Sequence, residues 1–326
     1  MSVVAPLRLK RGEVSLADWG VWIALIGLVI FNAFATSRFF SLQTLQTNLT
    51  QMAAIAILAM GMTLVVATGG IDLSIGALMA LAGAFAGTAM VTDLPIMHTP
   101  LIGVILVLLI AIVVAGLFGL VNGFLIGGLG LQPIIATLGV LIAGRGIAQL
   151  ITSGRLFTVD DAQVLDLARG QFLGLSNQAW LMFVVIAAAA LLRRSSVFGR
   201  YVVAIGGNEL AARSAGVPVR SMKIAVYTLM GCLAGVAAVL SIGINGTVDT
   251  ANLGLNWEFT VISAVVVGGT PLTGGRPRIA GTVGGVALLQ LLTFTLASHN
   301  IPKEVANLIQ AAVIVAAVAL QLRRKK

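Results

Sequence analysis

Few side chains in this chain are equipped for chemistry, and their spacing argues against most kinds of it. There is no G-x-x-x-x-G-K-[ST] loop to cradle phosphates and no H-E-x-x-H pair to hold a metal, and no serine sits within G-x-S-x-G. The histidines, His98 and His299, stand far apart. Cys232 is the only cysteine, which excludes an intrachain disulfide, and its apolar setting reads as a packing position. A hydrolase would therefore lack both nucleophile and base, and no nucleotide site is evident. What remains is a sparse polar set among apolar residues: Gly69, Gly70, Asp72, Ser74, Asn122, Gln132, Thr137, Arg145, Gln149, Asn245 and Glu258. Amides and hydroxyls in such surroundings hydrogen-bond; they suit a polar neutral solute better than a lipid. The scarcity of acids argues against the carboxylate relays of proton- or sodium-coupled transport.

Asp72 and Arg145 each admit two roles. Asp72 follows Gly69-Gly70 and precedes Leu73-Ser74. The glycines can stop one helix while Asp72 or Ser74 caps the amides of the next. Equally, a polar break of this kind can face a pathway. The capping role is the more economical, and the two are compatible. Arg145, in Ala143-Gly-Arg-Gly-Ile-Ala-Gln149, can pair with an acid or donate to hydroxyls. A guanidinium at membrane depth costs several kcal/mol unless it is paired or wet, on the order of 3 or more.

The elements that must position these groups follow from composition. Of 326 residues, 59% are hydrophobic and 10% charged, with a mean hydropathy of +1.06. A soluble chain carries about 25% charged residues. The apolar residues fall in blocks of about 20, the length that crosses a bilayer core as helix. The pattern predicts an all-α, polytopic membrane bundle of about ten spans. They are 17–36, 49–68, 72–91, 100–126, 132–152, 178–192, 222–245, 258–270, 279–298 and 303–322, the eighth being short for a full crossing. The chain is one transmembrane domain over 1–326, with 1–16 as a tail and 193–221 as a long connection.

Charge placement orients the spans. The formal charge is +9 and the pI about 10.8, yet most basic residues flank apolar blocks rather than alternating with aromatics, so nucleic-acid binding is not indicated. Arg8, Lys10 and Arg11 precede the first span. Arg193, Arg194, Arg200, Arg213, Arg220 and Lys223 lie between the sixth and seventh. Arg276 and Arg278 follow the eighth, and Arg323, Arg324, Lys325 and Lys326 end the chain. With about ten crossings all of these share one side, which the positive-inside rule makes cytoplasmic, with both termini inside. Segments 92–99, 153–177, 246–257 and 299–302 then lie outside. Ala33-Phe34-Ala35 imitates a signal-cleavage site, but the leading segment with Glu13 and Asp18 favours an uncleaved first helix. Small-xxx-small pairs Gly83/Gly87, Gly123/Gly127, Gly231/Gly235 and Gly281/Gly285 predict close helix packing. Residues 66–76 and 265–275 resemble each other around a Gly-Gly break, a match too short to establish duplication.

In the basic connection, Phe198 to Gly216 contains a short helix that Gly207 or Asn208 can cap and that ends at Gly216 and Pro218. Its residues are Gly207, Asn208, Glu209, Ala211, Ala212, Ala215 and Gly216, with a small alanine face suited to a groove on another protein. Taken alone it is an ordinary surface helix.

Four stretches together resemble the permease subunits of bacterial ribose-type sugar ABC importers. They are Val66-Ala-Thr-Gly-Gly-Ile-Asp-Leu-Ser-Ile-Gly76, Gly119-Leu-Val-Asn-Gly123, Gln132-Pro-Ile-Ile-Ala-Thr-Leu-Gly139 and Ala204-Ile-Gly-Gly-Asn208 with its following alanines. The likeness runs from about residue 48 to the C-terminus, and Ala143 to Gly154 is similar to galactofuranose-importer permeases. The resemblance implies an inner-membrane protein, not an enzyme and without a cofactor, pairing with a second permease copy or paralogue. A separate ATPase with two fused nucleotide-binding halves would supply energy, and a periplasmic sugar-binding protein would deliver substrate. It implies that Gly207–Gly216 is the coupling helix docking on the ATPase, and that sugar moves inward by alternating access. Arg38, Arg155 and Arg169 would then either meet carboxylates of the binding protein or stay as solvated loop charges. A branched-chain amino-acid permease shares the architecture and is the near alternative; a secondary transporter is a more distant one.

Overall fold

Every apolar block forms helix, because an α-helix pairs its backbone amides internally and presents only side chains to lipid or to neighbours. The computed structural model describes residues 16–90, 95–99, 101–159 and 162–323. The N-terminal basic residues, the last three residues and the side chain of His98 lie outside the described residues. The helices are α1 (Leu16–Ala35), α2 (Leu42–Ala67), α3 (Ile75–Met90), α4 (Ile102–Gly123), α5 (Pro133–Thr152), α6 (Ala162–Arg169) and α7 (Asn177–Ser195). They continue as α8 (Val197–Gly207), α9 (Glu209–Ser214), α10 (Val219–Asn245), α11 (Trp257–Val267), α12 (Ile279–Ser298) and α13 (Lys303–Arg323). A π-helical turn, 124–128, extends α4. The described sheet is confined to two-residue strands in connections, including a pair joining Phe157–Thr158 to Thr247–Val248.

Among the described residues, six helices are long and apolar enough to cross a membrane. The eighth span is short, as expected: α11 has 11 residues, about 16 Å at 1.5 Å per residue, roughly half of a ~30 Å core. The segment before it compensates. Val248 packs on Gly87, Leu253 on Gly83, and Gly254 on Gly76, so residues 246–256 double back along α3 for about three turns. α11 starts where this descent ends. The segment and α11 therefore follow one another along the molecule, a turn-rich stretch leading into a helical one.

Glycine sets the tightest packing, as the spacing predicts for a medium in which burying apolar side chains gains little. α4 and α10 touch backbone to backbone: Gly119 lies against Gly231, and Gly123 against Ile224. Gly231 and Gly235 meet the carbonyls of Ala115 and Ala111. Gly281 and Gly285 of α12 meet those of Gly268 and Ala264. Gly127 approaches the Arg220 carbonyl. Hydrogen bonds between helices add register. Asn32 of α1 donates to Thr295 of α12 at 2.7 Å, the hydroxyls of Thr63 and Thr282 lie 2.9 Å apart, and Gln290 donates to Gln51 at 2.8 Å.

Candidate functional site

The polar residues singled out from sequence separate into a buried group and an exposed one. The buried group is built on the break after α2. Gly69 takes φ +80°, which favours glycine, and ends the helix in a Schellman arrangement: Gly70 N–H reaches Val65 O, and Gly69 N–H reaches Val66 O. The chain then runs without helix to Ser74, whose carbonyl accepts the first bond of α3 from Leu78. Asp72, fully buried, folds back within this turn. Its Oδ1 accepts from the Ser74 amide at 2.8 Å and from the Ser74 hydroxyl at 2.6 Å. Asn122 of α4 donates to Ser74 Oγ at 2.7 Å, tying the break to a third helix. Asp72 therefore organises the approach to α3 through Ser74 rather than capping the amides of the helix itself.

The second break, after α11, repeats the pattern. Gly269 takes φ +90°, Thr270 N–H reaches Val265 O, and Gly269 N–H reaches Val266 O. The match aligns Val65 with Val265, one residue away from the pairing of the glycine doublets that the sequence suggests. The shift arises because the helix-ending conformation, not the doublet, is shared: Thr68 occupies in one break the position of Gly268 in the other.

Glu258, in the first turn of α11, is buried beside Gly76 at the start of α3, where a Cβ would lie 2.9 Å from its Oε2. Asp72 Oδ2, Asn122 Oδ1 and Glu258 Oε2 have no hydrogen-bond partner among the described residues, so the interior offers acceptor oxygens to any polar hydrogen that reaches them. Tyr227 of α10 completes this region, its hydroxyl donating to Ile71 O at 3.3 Å and its backbone meeting Gly119. Sequence reasoning missed Tyr227, although the chain has only two tyrosines.

Arg145 is held by backbone carbonyls. Its Nη1 donates to Thr250 O at 3.0 Å and Leu253 O at 2.8 Å, with Ala251 O at 3.4 Å. It pins the descending 246–256 segment to α5 through backbone carbonyls. Thr137 is buried and bonds back to Pro133 O at 2.8 Å, so its hydroxyl is used within α5. Gln132, Gln149 and Asn245 are exposed and do not join the Asp72 cluster. Gln149 lies in α5 and Gln132 at its N-cap, and the helix also carries Gly139 and Gly146, each of which faces open space.

The 193–221 connection holds two helices, α8 and α9, rather than one. α7 also runs on to Ser195. Asn208 caps α9, its Oδ1 accepting from Ala211 N at 3.0 Å, and Gly216 at φ +80° ends it. Glu209 pairs with Lys223 at 2.7 Å and with Arg213 at 3.2 Å. Ala212, expected on the docking face, is buried at 5% exposure. The outward face carries Leu210, 76% exposed, with Ala211, Arg213 and Ala215. On the opposite side, Arg169 donates to Ile244 O at 2.8 Å, while Arg38 and Arg155 are exposed.

The fold and these breaks define a multi-pass helical membrane protein whose polar groups gather where helices are interrupted. The chain belongs to the family described as the permease component of the branched-chain amino acid transport system, whose model matches residues 44–318. Among its relatives, the galactofuranose transporter permease protein YtfT of Escherichia coli K12 is 36% identical, covering 85% of this chain and 79% of the relative. The ribose import permease protein RbsC of the same strain is 33% identical over 93% of each chain. The fructose import permease protein FruF of Bifidobacterium longum is 34% identical over 84% of this chain and 76% of its own length. No solved structure matches.

Proposed function

We propose that this chain is the transmembrane permease of an ATP-driven importer that moves a monosaccharide of the pentose or hexose class into the cytoplasm by alternating access. The observation that carries it is end-to-end likeness, since the ribose import permease aligns over 93% of both chains. The site chemistry agrees: interior acceptor oxygens and few charges suit sugar hydroxyls. The chain carries no bond chemistry; it contributes differential stability between conformations that a separate ATPase drives. α9 is the docking element for that ATPase, on the strength of its outward Leu210–Ala211–Ala215 face amid basic flanks. In this reading the chain makes ten crossings, the eighth only half helical, with α9 and both termini in the cytoplasm of a bacterial inner membrane, and the placement of the basic residues supports it. The open face of α5, with its exposed glutamines and uncovered glycines, is where a second permease copy or paralogue closes the pathway. A periplasmic sugar-binding protein docks on the opposite side.

Proteoliposomes holding the permease, its ATPase and its binding protein test this with radiolabelled ribose, galactofuranose and leucine. ATP-dependent accumulation of a sugar is expected. The family model's description favours a second reading, a branched-chain amino acid, and leucine uptake without sugar uptake would establish that one instead. Sugar accumulation by the permease alone on a proton or sodium gradient would overturn both. For docking, Ala211→Arg is expected to reduce ATPase co-purification about tenfold or more while leaving the permease in the membrane. Unchanged co-purification would remove α9 from that role.

A further inference from the structure

Gly206, the penultimate residue of α8, sits where three backbone segments meet. It lies directly against the carbonyl of Ala67, the last residue of α2, and against the amide of Gly275 in the connection after α11. Ala67 O also accepts the Gly275 amide at 2.9 Å, so the two helix breaks are bonded to each other at this point. A Cβ on Gly274 would lie 2.9 Å from Gly69 N and 3.0 Å from Gly206 Cα. One on Gly275 would lie 3.2 Å from Gly206 O and from Gly207 Cα. A side chain at Gly206 would run into the Ala67 carbonyl. Gly207, one residue on, faces open space.

The contact is backbone on backbone, so no rotamer is interposed to absorb a displacement, and close-packed interiors transmit strain. On one side, α8 passes into α9 through Asn208, whose side chain caps α9 immediately after the junction. On the other, Gly69 leads within three residues to Asp72, and the 268–278 connection leads back into α11 and Glu258.

We propose that Gly206 is a positioning residue for transport, a rigid joint that delivers displacement of α9 to both helix breaks together. The inference rests on the docking role of α9 given above and names how that docking reaches the interior. A residue that merely packs would change abundance, whereas a joint of this kind changes how much substrate moves per ATP consumed.

The test uses the reconstituted complex with permease variants Gly206→Ala, Gly275→Ala and, as control, Gly27→Ala in α1, where an added Cβ meets open space. ATPase co-purification, ATP hydrolysis and sugar uptake are measured together. For Gly206→Ala, co-purification is expected at the parental level, hydrolysis within about twofold, and uptake per ATP lower by about tenfold or more. Gly27→Ala is expected to match the parent. If Gly206→Ala does not accumulate, Gly275→Ala carries the test: its added methyl is a tight contact rather than a collision, with the backbone strain of φ +81° as its further cost. Unchanged uptake per ATP in the variants that accumulate overturns the proposal. So does loss of co-purification in Gly206→Ala, which would place the residue in the docking surface. Failure of both variants to accumulate, with Gly27→Ala normal, assigns the junction to folding and overturns it too. If α9 is not the docking site, Ala211→Arg keeps its ATPase and its uptake; if only the joint is wrong, Ala211→Arg loses the ATPase while Gly206→Ala and Gly275→Ala transport as the parent does.

Discussion

Ser74 Oγ gives its proton to Asp72 and takes one from Asn122, so one hydroxyl joins the α2–α3 break to α4. Removing it strands a buried amide and weakens the hold on a buried carboxylate, an arrangement whose loss costs about 1–3 kcal/mol per unsatisfied group. Ser74→Ala is therefore expected to lower the midpoint of thermal unfolding in detergent by several degrees, which fluorescence-monitored melting would register. Asp72→Asn keeps an acceptor oxygen for the Ser74 amide and hydroxyl. It is expected to retain most transport, and complete loss of uptake with normal assembly would instead put the carboxylate in the pathway. Arg145→Met removes the donor from the Thr250 and Leu253 carbonyls. Freed of that pin, residues 250–253 are expected to become more reactive at an introduced cysteine, by about tenfold in a maleimide rate. An unchanged rate would mean that Arg145 does not hold the segment.

At the scale of elements, the expected spans became helices because lipid length and backbone satisfaction leave little else. A Gly-Gly doublet marked both breaks for the same reason: glycine ends a helix at positive φ with no Cβ to strain. Three features were not legible. The 246–256 descent has no periodic signal, since it is held by one arginine and three glycines from other helices. The inward turn of Ala212 depends on how α9 lies against α10, which an alanine-rich helix of six residues does not encode. Gly206 stood within a recognised stretch, but nothing local says that its missing side chain makes room for Ala67. The α4–α10 crossing, in contrast, follows from small-residue spacing and can be tested at that level. Gly231→Val pushes a branched side chain into the Ala115 carbonyl. Overpacking of this kind costs about 1–3 kcal/mol, so membrane abundance is expected to fall several-fold. Gly139→Val, on the open face of α5, is the comparison and is expected to leave the abundance of the isolated permease unchanged.

For the whole molecule, orientation turns on whether the 246–256 segment and α11 together count as one crossing. Were the segment to return to its own side, α12 and α13 would be inverted relative to α1–α10, and Arg276 and Arg278 would move to the outer face, against the charge bias. The contacts argue for a completed crossing. Residues 246–256 enter beside Gly87 of α3 and reach Gly76 near its other end, and α11 continues until Gly274 meets Gly69 and Gly206 beside α9. Loop 268–278 and α9 therefore share a side, while Asn300, between α12 and α13, lies on the other. Single cysteines at Ser214, Thr273 and Asn300, in a chain with Cys232→Ala, read this directly. In intact spheroplasts a membrane-impermeant maleimide is expected to label only the Asn300 position, and permeabilisation is expected to add Ser214. Thr273, exposed in the described structure, should follow Ser214. Labelling of Thr273 from outside while Ser214 stays protected would break the crossing and, with it, the shared junction at Gly206.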